Sequence, residues 1–192
     1  MTCPAKLTNF IFNVRILYKI TTIKNGGNYM ERIIDVAQYI FDEYKRLSGK
    51  VIDEMKLHKL LYFTQRETLA ITGHPLFQEE FEGWKYGPVN RCVRNCYTED
   101  GMYDKDIREI SAESAYIAKN IIFQYGGYES WKLSELSHKE ESWRKSRVGI
   151  PNGENGDRII QLEDIRKDAE KVRPYDSMWD MYYDEFEDVE VM

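Results

Sequence analysis

Between Asp53 and Val89 a helical repeat runs straight into a segment broken by Pro75, Gly83, Gly87 and Pro88. Asp53 is a favoured N-cap type. Apolar residues follow at Met55, Leu57, Leu60, Leu61, Phe63, Leu69, Ala70 and Ile71, and Gly73 stands where a left-handed C-terminal residue is wanted. The spacing predicts a helix of about five turns, at roughly 3.6 residues each. Leu57, Leu60, Leu61 and Thr64 share one face while Tyr62 and Leu69 fall away from it. The apolar stripe is thus wide enough to touch neighbours on several sides, as in the central helix of a bundle. Pro75 bars continuation, and Phe77, Phe81, Gly83, Trp84 and Tyr86 mark an extended run whose glycines let rings pack close to the backbone. Pro88 is then expected to open a helix through Val89, Cys92, Val93 and Cys96, because its missing amide hydrogen costs nothing in a first turn.

Other helices are legible by the same signs. Ile33, Ile34, Val36, Ala37, Ile40, Phe41 and Tyr44 recur at helical spacing before Ser48-Gly49, giving a first helix able to pack on the central one. Ala112, Ala115, Ala118, Ile122 and Tyr125 follow an N-cap at Ser111, and Gly126-Gly127 stops them. Leu133, Leu136 and Trp143 mark one or two shorter helices. After a Gly/Asn/Pro-rich loop over 149–157, Ile159, Leu162, Ile165, Ala169 and Val172 predict a last helix ending before Pro174. The expected fold is an all-α or nearly all-α compact bundle with one short β hairpin near Phe81 to Tyr86.

Composition changes abruptly at Met30. The first 29 residues hold four basic residues (Lys6, Arg15, Lys19, Lys24) and no acidic one; of 27 basic residues in the chain this leaves 23 beyond, against 33 acidic, a net charge of −10. The codons of Gly26-Gly27 can spell a purine-rich ribosome-binding site, with Asn28 and Tyr29 as spacer before a start codon. The reading that follows is a translated leader over 1–29, a native start at Met30, a helical domain over 30–173 and an acidic, aromatic C-terminal tail or helix over 174–192. A secretory signal fits poorly, since Asn13, Arg15 and Lys19 interrupt the apolar run and no small-residue cleavage site follows.

The remaining length suits one domain with a respectable core. No apolar stretch reaches the roughly 18 residues that a membrane span needs. Three cysteines without a framework of spacings point to a reducing cytoplasm. A net charge of −6 disfavours nonspecific nucleic-acid binding, suits a cationic protein partner, and comes with no basic recognition helix.

Reactive constellations are thin, and no cofactor is implied. Cys92 and Cys96 stand four apart on the expected helix, but the paired short spacings of a metal site are missing, so buried or idle thiols are the plainer reading. Nothing places His58, His74 or His138 beside a thiol as nucleophilic catalysis requires. His138, at an expected helix end, suits bonding to loose carbonyls at the negative pole of the dipole. Glu79-Glu80 and Glu140-Glu141 read as solvated faces. Trp143, Arg144, Lys145 and Arg147 form a basic run with a ring that could hold phosphate or a carboxylate-rich partner, weighed against an ordinary charged helix face. Tyr175, Trp179, Tyr182 and Phe186 recur at helical spacing among seven acidic residues, either finishing the core or offering anchors to a basic partner.

The runs MKLHKLLYFTQ, TGHPLF, FEGWKYGPV and LSELSHKEESWRKSR together resemble the SocA-like antitoxin family, also called the Panacea domain, which occurs in bacterial and phage-associated proteins. Lys59, Leu60, Tyr62, Trp84, Gly87, Pro88, Ser137 and His138 carry the resemblance, which covers about Glu31 to Ala169. Asn90 and Arg91 depart from positions that are often more apolar in the family, and VGIPNGENGDR is this sequence's own. The resemblance implies a mainly helical, non-enzymatic antitoxin that neutralises a toxin, encoded by an adjacent gene, through direct binding. Two competitors stay open: an adaptor handing a bound protein to a cytosolic protease, and a small metal-dependent enzyme.

Overall fold

The computed structural model describes residues 30–151 and 153–175. The expectations for the leader over 1–29, and for Trp179, Tyr182 and Phe186, lie outside them. The unit beginning at Glu31 is predominantly helical. Its elements are α1 (Ile33–Ser48), α2 (Glu54–Thr72), β1 (Phe81–Trp84), β2 (Gly87–Val89), α3 (Arg91–Cys96), β3 (Tyr97–Thr98), β4 (Gly101–Met102), α4 (Ala112–Tyr125), α5 (Ser130–His138), α6 (Glu141–Ser146), β5 (Ile159–Ile160) and α7 (Leu162–Ala169).

Helix α2 begins where expected, with the Asp53 carboxylate accepting from the Lys56 amide at 2.9 Å, and stops at Gly73 with φ +74°. Every residue from Lys56 to Leu69 is buried, so the wide stripe of the sequence becomes a helix enclosed on all sides by α1, α4, α5 and α7. Leu57, Leu60, Leu61, Tyr62 and Phe63 form the middle of the core. Full burial of each such aliphatic or aromatic side chain stabilises by about 1.5–3 kcal/mol. Phe63 stacks on Tyr125 with ring centres 4.7 Å apart, and Tyr62 meets Phe81 edge-on at 5.7 Å. Gln65 anchors the corner after Gly73: its Oε1 accepts from the Leu76 amide at 2.8 Å and its Nε2 donates to the Phe77 carbonyl at 3.0 Å.

The hairpin is real and has a third strand. β1 pairs antiparallel with β2 (Trp84 opposite Gly87) and, on its other edge, with β5 (Phe81 opposite Ile160), giving the order β2-β1-β5. A second two-stranded ribbon joins β3 and β4.

Two local expectations are corrected. Pro88 does not open a helix; it lies in β2, an edge strand where its missing donor leaves no ladder bond unmade. The cap is Asn90, whose side chain accepts from the Val93 amide at 3.0 Å and donates to the Glu80 carbonyl at 2.8 Å, so α3 starts at Arg91. Ile159 belongs to β5 rather than to the last helix, because pairing with the distant Glu82 overrides the local period, and α7 ends at Ala169.

Candidate functional site

The residues that carry the family resemblance converge on one object, the backbone of the β1–β2 hairpin. Its carbonyls face helices rather than water, and each needs a donor. Arg147 Nη1 donates to the Gly83 carbonyl at 3.2 Å, and Trp143 Nε1 to the Trp84 carbonyl at 3.0 Å. Ser134 Oγ donates to the Tyr86 carbonyl at 2.9 Å, and Lys59 Nζ to the Pro88 carbonyl at 3.0 Å. His138 bonds to the Lys85 backbone between them. Five side chains from α2, α5, α6 and the residue after α6 thus clamp five hairpin positions between Gly83 and Pro88.

Two glycines make the close approach possible. A Cβ at Gly83 would fall 1.9 Å from Ser146 Oγ. At Gly87, where φ is +105°, it would lie 2.4 Å from Ser137 Oγ and 2.5 Å from Lys59 Cε. Tyr62, another motif residue, closes the far side through a 2.7 Å bond between its hydroxyl and Ser142 Oγ. Leu60 is wholly buried beside them.

Burial sets the electrostatics of the clamp. Lys59 is fully enclosed, and desolvation of its ammonium lowers its pKa to about 7 against the partial support of Asp53 and Glu54. Burial also pushes His58 and His138 down; the Lys59 charge adds to the effect on both. The Tyr62 hydroxyl is pushed up by burial, with Glu140 adding to it. Arg66, itself buried, and the partly buried Glu140 form an ion pair joining α2 to the start of α6, with Arg66 also donating to Tyr125 at 3.1 Å. Burial nevertheless raises Glu140 above the usual carboxylate range.

The expected site residues separate accordingly. Trp143 is half-buried rather than the exposed ring expected, stacked on His138 with ring centres 3.9 Å apart. His138 does have a structural role, though its backbone partner lies in the hairpin turn and not at its own helix end. Lys145 bridges Glu141 at 2.7 Å and Asp164 at 2.8 Å, holding α6 to α7. Arg147, besides gripping Gly83, donates to the Glu154 carbonyl at 2.7 Å. Arg144, like Lys145, is exposed. The Tyr175 amide donates to Glu67 Oε1 at 2.7 Å, so the tail starts against the middle of α2.

The acidic pairs are not merely solvated. Glu140 is partly buried against Arg66, and Glu79 accepts from the Ile33 amide at 3.2 Å at the start of α1. Cys92 is exposed and Cys96 half-buried, both as free thiols on α3. Among the described residues no group of three or more His, Cys, Asp or Glu side chains is placed to hold a metal ion, and no helix is long and apolar enough to cross a membrane.

Sequence reasoning missed Glu54, Arg94 and the burial of His58. Glu54 and Arg94 sit on different helices and meet at 3.3 Å, with the Arg94 guanidinium 4.8 Å over the Trp84 ring. Only the alternation of Lys59, Trp84 and Tyr86 around a glycine-rich turn could have hinted at such a cluster.

Comparison with known proteins bears out the resemblance. Residues 57–144 match the family described as Antitoxin SocA-like, Panacea domain. Over 66 residues the chain is 42% identical to Antitoxin SocA of Caulobacter vibrioides (strain NA1000 / CB15N). That stretch is 34% of this chain and 35% of the relative, so about a third of the relative's length is spanned. No solved structure matches.

Proposed function

We propose, on the premise that residues 57–144 form a SocA-like Panacea domain, that this chain is an antitoxin that neutralises a cognate toxin by direct protein binding. The observation that carries this reading is where the motif residues lie. Lys59, Tyr62, Gly87, Pro88, Ser137 and His138 hold a hairpin against a bundle, so the motif marks a scaffold. A motif spent on holding a scaffold leaves function to the exposed surface, which suits recognition of a protein more than turnover of a small molecule.

Candidates for contact are Arg144, the aromatic and arginine side chains beside the hairpin, and the acidic and aromatic residues that follow Tyr175 in the sequence. Binding would occlude the toxin's working surface. The toxin is expected from a neighbouring gene, and the pair is expected to act in the cytoplasm.

Co-expression with the product of the adjacent open reading frame tests the proposal. Restored growth and a co-purifying complex support it. Neither rescue nor complex would count against it. A partner that binds but whose lifetime shortens when this chain is present would transfer the reading to an adaptor for a protease.

A further inference from the structure

A pocket of about 150 Å³ opens between the first turns of α2, the hairpin and α3, lined by Glu54, His58, Lys59, Trp84, Tyr86 and Arg94 among others. Its floor contains an unanswered donor. The Asn90 amide donates to His58 Nδ1 at 3.4 Å, which places the ring proton of the neutral imidazole on Nε2. That Nε2 is shut off from solvent and has no hydrogen-bond partner. The nearest carboxylate oxygen, Glu54 Oε1, stands 3.6 Å away, beyond hydrogen-bond length. Glu54, which can pair with the ring when it is charged, thus falls short of the neutral donor, and a closer oxygen would satisfy it.

The other groups fix the charge of that oxygen. Lys59, whose Nζ donates to the Pro88 carbonyl, lines the same pocket. Arg94 lies over the Trp84 ring and touches Glu54 only at 3.3 Å. Donors on His58, Lys59 and Arg94 therefore face a single, half-exposed carboxylate, and a second anionic oxygen pair would be welcomed. A cation would compete with Arg94, which already occupies the ring face and the Glu54 oxygen. The volume is similar to that of a cavity that holds a benzene-sized molecule, ample for the end of an acidic side chain.

We infer that this pocket is a socket for the carboxylate of an acidic side chain or chain terminus carried by a protein partner. The inference rests on the antitoxin reading for its source of carboxylate, and on the pocket alone for its chemistry. A protein source is favoured by the mouth: Tyr86 is 54% exposed, and Arg94 and Arg91 both lie against the Trp84 ring, side chains of the kinds that anchor protein interfaces. A free small ion would leave them untouched.

Two arms test it on the full chain. In the first, acetate is titrated at constant ionic strength with acetamide as the neutral control, reading the Trp84 indole and His58 imidazole resonances by NMR. Saturable shifts with acetate alone, weakened about tenfold in Arg94→Gln, are expected. Equal responses to acetamide, or no saturation, would overturn the socket. In the second, the co-expressed partner is captured by wild type, Arg94→Gln and Tyr86→Ala; loss of capture by both variants with unchanged thermal unfolding is expected. Undiminished capture by both, with acetate binding intact, overturns the protein source and assigns the socket to a free carboxylate. Acetate binding with no partner complex at all marks failure of the antitoxin reading, and the protein source falls with it.

Discussion

Helices α2 and α6 are both rich in charged and hydrogen-bonding side chains, and they use them in opposite ways. In α2, Lys56, Lys59, Gln65 and Arg66 point inward and end on groups of other elements: Lys56 on the Tyr44 hydroxyl, Lys59 on Pro88, Gln65 on the Leu76–Phe77 backbone, Arg66 on Glu140. In α6, Arg144 and Lys145 stand at the surface, and the partners of Lys145 are themselves partly in water. Polarity in a sequence is therefore no guide to position. A charged side chain is interior wherever an enclosed carbonyl or carboxylate requires it, and the loss of such a partner is costly only there.

The largest effect that would sharpen this contrast is expected from Arg66→Met. It strands the Glu140 carboxyl inside the protein and should lower stability by about 3–5 kcal/mol in urea unfolding. Adding Glu140→Leu should restore most of the loss, showing that the cost lies in the stranded charge. A small effect of Arg66→Met would break the distinction between the two helices.

Next comes Gly87→Ala, which combines a positive φ with a Cβ pressed on Ser137 and Lys59. About 3 kcal/mol of destabilisation is expected from conformational strain and overpacking together, read as a fall in Tm. Ser137→Gly in the same background should return part of it by clearing one of the two contacts.

Lys59 offers a pH test. Its amine titrates near 7 in the fold, but in the unfolded chain it returns to about 10.4. Between these values the unfolded chain holds more protons, so stability contributed by this group rises with pH, by up to about 1.4 kcal/mol per unit. Below 7 the ammonium is charged in both states and the slope vanishes. Asp53 and Glu54 face the amine from the start of α2 and His138 from α5, and Glu54 and His138 are both held below their ordinary values. Urea midpoints measured from pH 7 to 9.5 should climb more steeply in wild type than in Lys59→Met; parallel curves would show that the amine is solvated.

The smallest effect is expected from Lys145→Ala. Its two carboxylate partners can rehydrate, so the unfolding midpoint should stay within experimental scatter despite a network that looks strong on paper. A loss comparable with that of Arg66→Met would mean that the outward face of α6 is structural after all.

Much of the helical frame was legible in the residues, because local chemistry determines it. Asp53 and Ser111 are caps in fact as in expectation, and Gly49 and Gly73 terminate their helices with left-handed backbones. What escaped depends on groups far apart in the chain. Ile159 reads as helix until Glu82 is seen to pair with it, and Pro88 reads as a helix start until Asn90 takes the cap. Among site residues, the motif positions were identified but their task was not. Nothing within LSELSHKEESWRKSR announces that Trp143 and Arg147 reach back to Trp84 and Gly83, and the basic run looked outward for that reason. The pocket was invisible because Glu54, His58 and Arg94 acquire meaning only when α2 and α3 meet.

The bond from the Tyr175 amide to Glu67 gives a carboxylate of α2 a donor from beyond the last helix. A side chain that water does not reach is thereby met by a residue 108 positions further along, so the most enclosed helix of the core is stitched to the stretch after α7.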